Sequence, residues 1–132
     1  MSQLLPPADR FFTARLDGKR MADSWGLFDE CSRAFSLPVD FEWSWPSLSV
    51  CLRSLEWISA RHYLAIATDP SMMLSREPAE RQLFFVTMQE VGSAWAGRSE
   101  RDHTGAFNVV LLCGRDEVET LKGELAALSP LQ

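Results

Sequence analysis

LPVDFEWSWPSLSVCLRSLEWI, residues 37–58, gathers three of the chain's five tryptophans into one loop and one helix. At 3.6 residues per turn, Trp45, Leu48, Cys51, Leu52, Leu55 and Ile58 recur at steps of three or four, so they share one face. Ser44 stands where an N-cap belongs. Pro46 falls in the first turn, where a missing N–H breaks no hydrogen bond. The spacing predicts a helix beginning near Trp45, with Pro46, Ser47, Ser49, Val50, Arg53 and Glu56 turned outward. The loop before it carries Asp40, Glu42 and Trp43. An outward valine beside a loop tryptophan marks a contact surface.

The flanking sequence alternates in type. Upstream, residues 1–9 read as a flexible lead-in, because Pro6 and Pro7 forbid regular pairing. Phe11 to Leu16 reads as a strand ending at the turn Asp17-Gly18. Ser24 is placed to cap a helix running to about Ser36, with Leu27, Cys31, Ala34 and Phe35 inward and Asp29, Glu30 and Arg33 solvated. Leu37-Pro38 ends that helix, since the residue before a proline leaves the helical region. Downstream, His62 to Thr68 (HYLAIAT) is apolar throughout, as a strand covered on both faces would be. Pro78 opens a helix to about Trp95 through Phe84, Met88, Val91 and Trp95, widened by Leu83 and Phe85. Gly97 to Gly105 reads as an exposed polar loop. Phe107 to Cys113 (FNVVLLC) is a third apolar strand closed by Gly114, and Asp116 to Leu128 a last helix facing inward through Val118, Leu121, Leu125 and Leu128. This order predicts an α/β fold: a small three-stranded parallel sheet with helices packed on it, joined by crossovers, plus an extra C-terminal helix. Residues 10–114 are expected to form the domain, and 115–132 a helical extension packed on it.

Composition narrows the chemistry. At 132 residues and 46% hydrophobic content the chain can bury one core. A formal net charge of −5, with no basic patch, argues against a nucleic-acid surface and suits a basic partner. Cys31, Cys51 and Cys113 cannot all pair, and each lies in an apolar stretch, as reduced core thiols of a cytoplasmic protein would. MSQLLPPADR has neither the basic nor the apolar region of a signal peptide, and no segment is long and apolar enough to span a membrane. Two histidines forty residues apart, His62 and His103, offer no metal-ligand spacing, and no nucleophile elbow or glycine-rich phosphate loop is present, so no cofactor is expected. Asp40 and Glu42 could pair as acid and base, but beside tryptophans on one loop they fit recognition better. Trp45 and Trp95 read as core, Trp25 as a brace for its helix, and Trp43 and Trp57 as the candidates for exposure.

From Leu16 to Cys113 these residues together resemble the barstar family, small intracellular inhibitors that neutralise secreted barnase-type ribonucleases until export. In that family a loop ending in an aromatic residue and a glycine leads into a helix with the pattern Asn-x-Asp-Ala-Leu-x-Asp-Cys-Leu. Phe41 stands at the aromatic, Glu42 at the glycine, Ser44 at the asparagine, Ser47 at the alanine, and Leu48, Cys51 and Leu52 at their matching residues. Leu37-Pro38, Glu90 at the glutamate of the later long helix, and FNVVLLC also match. Pro46 and Val50 depart from the pattern, standing where the family has its two helix aspartates. The second of those aspartates mimics a substrate phosphate in the ribonuclease active site.

The resemblance implies a non-enzymatic inhibitor or immunity protein that occludes a basic ribonuclease or another toxin. Its partner-binding residues would be Asp40, Phe41, Glu42, Trp43, Ser44, Pro46, Ser47, Val50 and Glu90. A barstar-fold module with a non-nuclease partner, a homodimer that buries Val50, and a small enzyme are the other readings.

Overall fold

The computed structural model describes residues 11–102 and 106–126, with the side chains of 99–102 left out. Three strands, β1 (Phe11–Asp17), β2 (His62–Thr68) and β3 (Phe107–Leu112), form one sheet in the order β1-β2-β3. Both pairings are parallel, with Phe11 opposite His62 and Tyr63 opposite Phe107. The helices are α1 (Ser24–Phe35), α2 (Trp45–Ser54), α3 (Pro78–Asp102) and α4 (Val118–Ala126). The chain is thus mixed α/β, as its alternating sequence predicts. The lead-in, His103, Leu128 and the last residues lie outside the described residues.

Side-chain alternation puts Ala14, Leu16, Tyr63, Ala65, Ala67 and Phe107 on one face of the sheet, where all are buried. α1 packs on β1 and α3 on β3, while α2 leans on α3. The small Ala65 and Ala67 of the central strand leave room over the sheet for Phe35 and Phe84, both almost fully buried in the same core. The other face is open. Phe11 is 75% exposed, Leu112 52% and Val110 38%, while β2 alternates buried with half-buried positions. The expectation that the second and third strands are covered on both faces is therefore corrected: one face is.

Three further boundaries differ from the sequence reading. Asp23, not Ser24, caps α1, its carboxylate accepting from the Gly26 N–H at 2.8 Å. α3 runs on to Asp102 through the segment read as a loop. Gly97 in a helix costs only about 1 kcal/mol, and Arg98 holds that last stretch by lying 4.0 Å over the Trp95 ring and donating to the Arg53 carbonyl. The last helix starts later than expected, a 3-10 turn (Arg115–Glu117) preceding α4, with Leu121 buried and Leu125 exposed; its expected end at Leu128 lies outside the described residues.

The start of α3 ties the helices together. Glu77, just ahead of Pro78, accepts from the Ser24 N–H at 2.5 Å and so finishes the N-terminus of α1. Glu80 accepts from the Trp45 indole at 2.6 Å. Arg81 grips Glu124 of α4 with two bonds of 2.7 Å and also donates to the carbonyls of Pro70 and Met73. These are charge-assisted bonds, and the Arg81–Glu124 pair has the bidentate geometry that makes such bonds strong.

The hydrogen bonds from Arg81 hold the Glu124 carboxyl below its ordinary range. A depressed folded-state value means the pair stabilises the fold above the unfolded pKa and loses that contribution as pH falls through the folded one. Arg81→Ala, which also removes the Arg81 bonds to the Pro70 and Met73 carbonyls, is expected to cost about 3 kcal/mol at neutral pH. Glu124→Gln should cost less and flatten the acid limb of the stability curve. Urea unfolding across neutral to acid pH measures both.

Candidate functional site

Ser36 adopts a left-handed conformation at the end of α1 (φ 52°), which turns the chain into the loop before α2. A turn closed by the Phe41 N–H on the Pro38 carbonyl, 3.0 Å, throws Val39 and Asp40 into solvent. Phe41 folds back and is buried edge-on against Phe28, 5.9 Å between ring centres. Its ring anchors the loop from inside, since an aromatic side chain gains more from burial than from exposure.

Trp43 is held at φ 52°, a left-handed conformation that costs a residue with a Cβ about 1–2 kcal/mol. Its half-buried ring lies 4.3 Å from Trp25, itself 66% exposed. Trp25 therefore does more than brace its helix: its exposed ring packs, tilted by 37°, against the half-buried Trp43. Its sequence signal is that it stands off the Leu27–Cys31–Phe35 stripe, where a core residue would not be.

Ser44 and Ser47 serve the loop. The Ser44 hydroxyl accepts from the Ser47 N–H at 3.2 Å, and the Ser47 hydroxyl accepts from the Glu42 N–H at 3.1 Å. The helix begins at Trp45 with Pro46 in its first turn, as the sequence predicts. It ends earlier than the apolar stripe suggests, at Ser54, with Leu55 in a left-handed cap. Two indoles fasten it to α3: Trp45 donates to Glu80 near its start and Trp95 donates to the Leu52 carbonyl near its end, at 2.9 Å. Trp95 is core as expected, whereas Trp45 is half-buried.

Between these fastenings α2 and α3 leave a groove of about 370 Å³. Pro46, Val50 and Glu90, three of the candidate residues, line it together with Arg53, Leu83 and Val86. Val50 is 58% exposed, and Leu83 also stands clear of the core. Ser49, expected to face solvent, is buried against α3 instead. Asp40, Glu42 and Glu90 are exposed. Val39 and the Trp25–Trp43 pair thus lie on the loop side, the Val50 groove on the helix side, with carboxylates on both. Trp57 is about one-third exposed and commits its indole to the Phe35 carbonyl at 2.8 Å.

All three cysteines are free. Burial, reinforced by the Glu30 carboxylate, pushes the Cys31 thiol up to about 12, so it is an inert core thiol at neutral pH. Burial and then Asp40 raise the Cys51 thiol, against a partial offset from its Ser47 hydrogen bond. His62 stacks on Phe11, 4.8 Å between ring centres. Among the described residues no three His, Cys, Asp or Glu side chains converge as a metal site would require. No described helix is long and apolar enough to cross a membrane.

The arrangement sets exposed apolar side chains on a loop and helix fixed from behind, with exposed carboxylates around them. The family model for barstar, the barnase inhibitor, matches residues 11–111, which include the whole of this surface. The chain belongs to the barstar family. Its family is one of inhibitors that act by binding a ribonuclease and not by catalysis. No curated protein matches the sequence. α4 lies beyond the family match.

Because Trp45 holds the helix and Val50 does not, the two should separate in stability measurements. Trp45→Phe removes the donor to Glu80 and is expected to cost about 1–2 kcal/mol. Val50→Ala should change stability by no more than about 0.5 kcal/mol. Chemical denaturation of the two variants beside the parent provides the comparison.

Proposed function

We propose that this protein is a non-enzymatic inhibitor or immunity protein that binds and occludes a cognate toxin, a ribonuclease in the first instance, through residues 39–53. The observation that carries the reading is the coincidence of the barstar-family loop and helix with exposed apolar side chains that have no packing role, Val39 and Val50 above all. Trp43 and Val50 act as anchors and Asp40, Glu42 and Glu90 as an acidic rim, the arrangement of apolar centre and polar edge found in protein interfaces. Ser44, Ser47 and Phe41 shape the surface from within. The site of action is the cytoplasm, where the three free thiols stay reduced.

Pro46 and Val50 supply no carboxylate to stand in for a substrate phosphate. Occlusion therefore relies on apolar contact, with the net charge of −5 guiding a basic partner to the surface. The same two residues favour a second reading, a barstar-fold module whose partner is not a nuclease. Titration of a barnase-type ribonuclease separates the two: stoichiometric loss of RNA cleavage supports the first, and undiminished cleavage in the presence of excess protein the second.

Against its partner, Trp43→Ala is expected to weaken binding by about 2 kcal/mol while leaving the fold intact. Unchanged affinity would remove Trp43 from the site. Association should slow as salt rises, because screening weakens steering between an acidic and a basic protein. Stopped-flow association rates across an ionic-strength series read that dependence, and a flat profile would rule out the acidic rim as a guide.

A further inference from the structure

Among the described residues β3 forms one edge of the sheet. The 2.8 Å bond from the Tyr63 N–H to the Ala106 carbonyl, with Tyr63 opposite Phe107 in the register, fixes which backbone groups of β3 face β2. They belong to Ala106, Asn108, Val110 and Leu112. By the period of two, the N–H and C=O groups of Val109 and Leu111 point away from the sheet, and no hydrogen bond reaches them from another described element.

Such an edge ordinarily carries a lysine, a proline or a bulge that prevents further pairing. Here residues 106–114, AFNVVLLCG, include no charge and no proline. The surroundings are apolar on both sides. Val110 and Leu112 are exposed on the open face, and on the helix side Val109 and Leu111 border a groove of about 640 Å³ between α3, β3 and α4.

We propose that β3 is a homodimerisation edge, pairing antiparallel with β3 of a second copy about a twofold axis that passes through Val110. Antiparallel partners must lie on the same face of the sheet, so Val109 can stand opposite Leu111 of the other copy but not opposite its Val110. The register that joins every free group of Val109 and Leu111 places Val110 opposite its own copy. A second copy is the occupant because the edge is self-complementary under that twofold. It is also free of charge, so a protein of net charge −5 meets itself there without local repulsion, while a basic partner finds no carboxylate on the strand. None of Val39, Trp43 and Val50 lines the β3 groove. The dimer therefore carries two copies of the loop-helix surface, whatever that surface binds.

Val110 at the axis is a non-hydrogen-bonded pair, with Cα atoms about 4.5 Å apart, within the range a disulfide spans. Sedimentation of the full chain under reducing conditions, at low and raised salt, is compared with Val110→Lys, Val110→Cys and Leu112→Cys. The expected result is a dimer that tightens with salt, as screening relieves the repulsion between two acidic copies. Val110→Lys, at a position already exposed, should raise the dissociation constant at least ~10-fold with little change in melting temperature. Mild oxidation should join Val110→Cys, but not Leu112→Cys, across the axis, with the 110–110 linkage identified by peptide mass. This pair of variants decides the matter if Val110→Lys fails to fold. A wild-type chain that stays monomeric, a dimer indifferent to Val110→Lys, or cross-linking through Leu112→Cys alone overturns the proposal.

Discussion

The fold depends on five residues, Glu77 to Arg81, at the start of α3. Glu77 finishes α1, Glu80 receives the Trp45 indole of α2, and Arg81 holds α4 together with the carbonyls of Pro70 and Met73. A sheet of three strands covered on one face has little buried apolar surface with which to orient four helices. Hydrophobic burial is non-directional, so it can gather these helices but does not by itself set their ends. Ionic hydrogen bonds at the helix termini do, because each has a fixed geometry and each is costly to leave unmade. The segment 70–76 adds to this junction. The Leu74 and Arg76 N–H groups donate to the carbonyls of Met21 and Ala22, and Met73 and Leu74 are wholly buried beneath them.

From that junction the candidate site follows by short steps. Fixing Trp45 fixes the start of α2, and Trp95 fixes its end. The groove lies between the two fastenings, beside the seam where Ser49 is buried. The loop before α2 is fixed from below by Phe41 and internally by the Ser44–Ser47 bonds. Val39 and Val50 are then left standing out, with Trp43 half-buried beside them. A surface built this way presents its apolar groups without much ordering cost on binding, which is where rigid interfaces gain affinity.

Much of this was legible in the sequence because it rests on local chemistry. Ser44 and Pro46 mark a helix start through rules that involve only their neighbours, and the strands announce themselves by uninterrupted apolar runs. What escaped depends on distant partners. Glu77, Glu80 and Arg81 look like ordinary surface charges until Ser24, Trp45 and Glu124 arrive from elsewhere in the chain. Ser49 turned out to be buried because α3 lies against it, which helical spacing within α2 cannot show. An apolar run such as HYLAIAT shows that a strand could be covered on both faces, not that anything covers them. Trp25 was passed over because its significance lies in Trp43, which reaches it only through the turn at Ser36.

The two indole fastenings also bear on how such a protein changes over generations. They lie near the ends of α2 and leave Val50, in the span between, without a part in holding it. Arg53, just past the Leu52 fastening, accepts from Arg98 at its carbonyl and donates from its side chain to the Ser49 carbonyl, whereas Val50 is mostly exposed. Substitutions at Val50 can alter the surface proposed for binding while leaving the scaffold's stability nearly untouched. On the function proposed above, an inhibitor whose partner varies is well served by this separation: the residues that meet the partner can change without any change being required at the junction of Glu77 to Arg81.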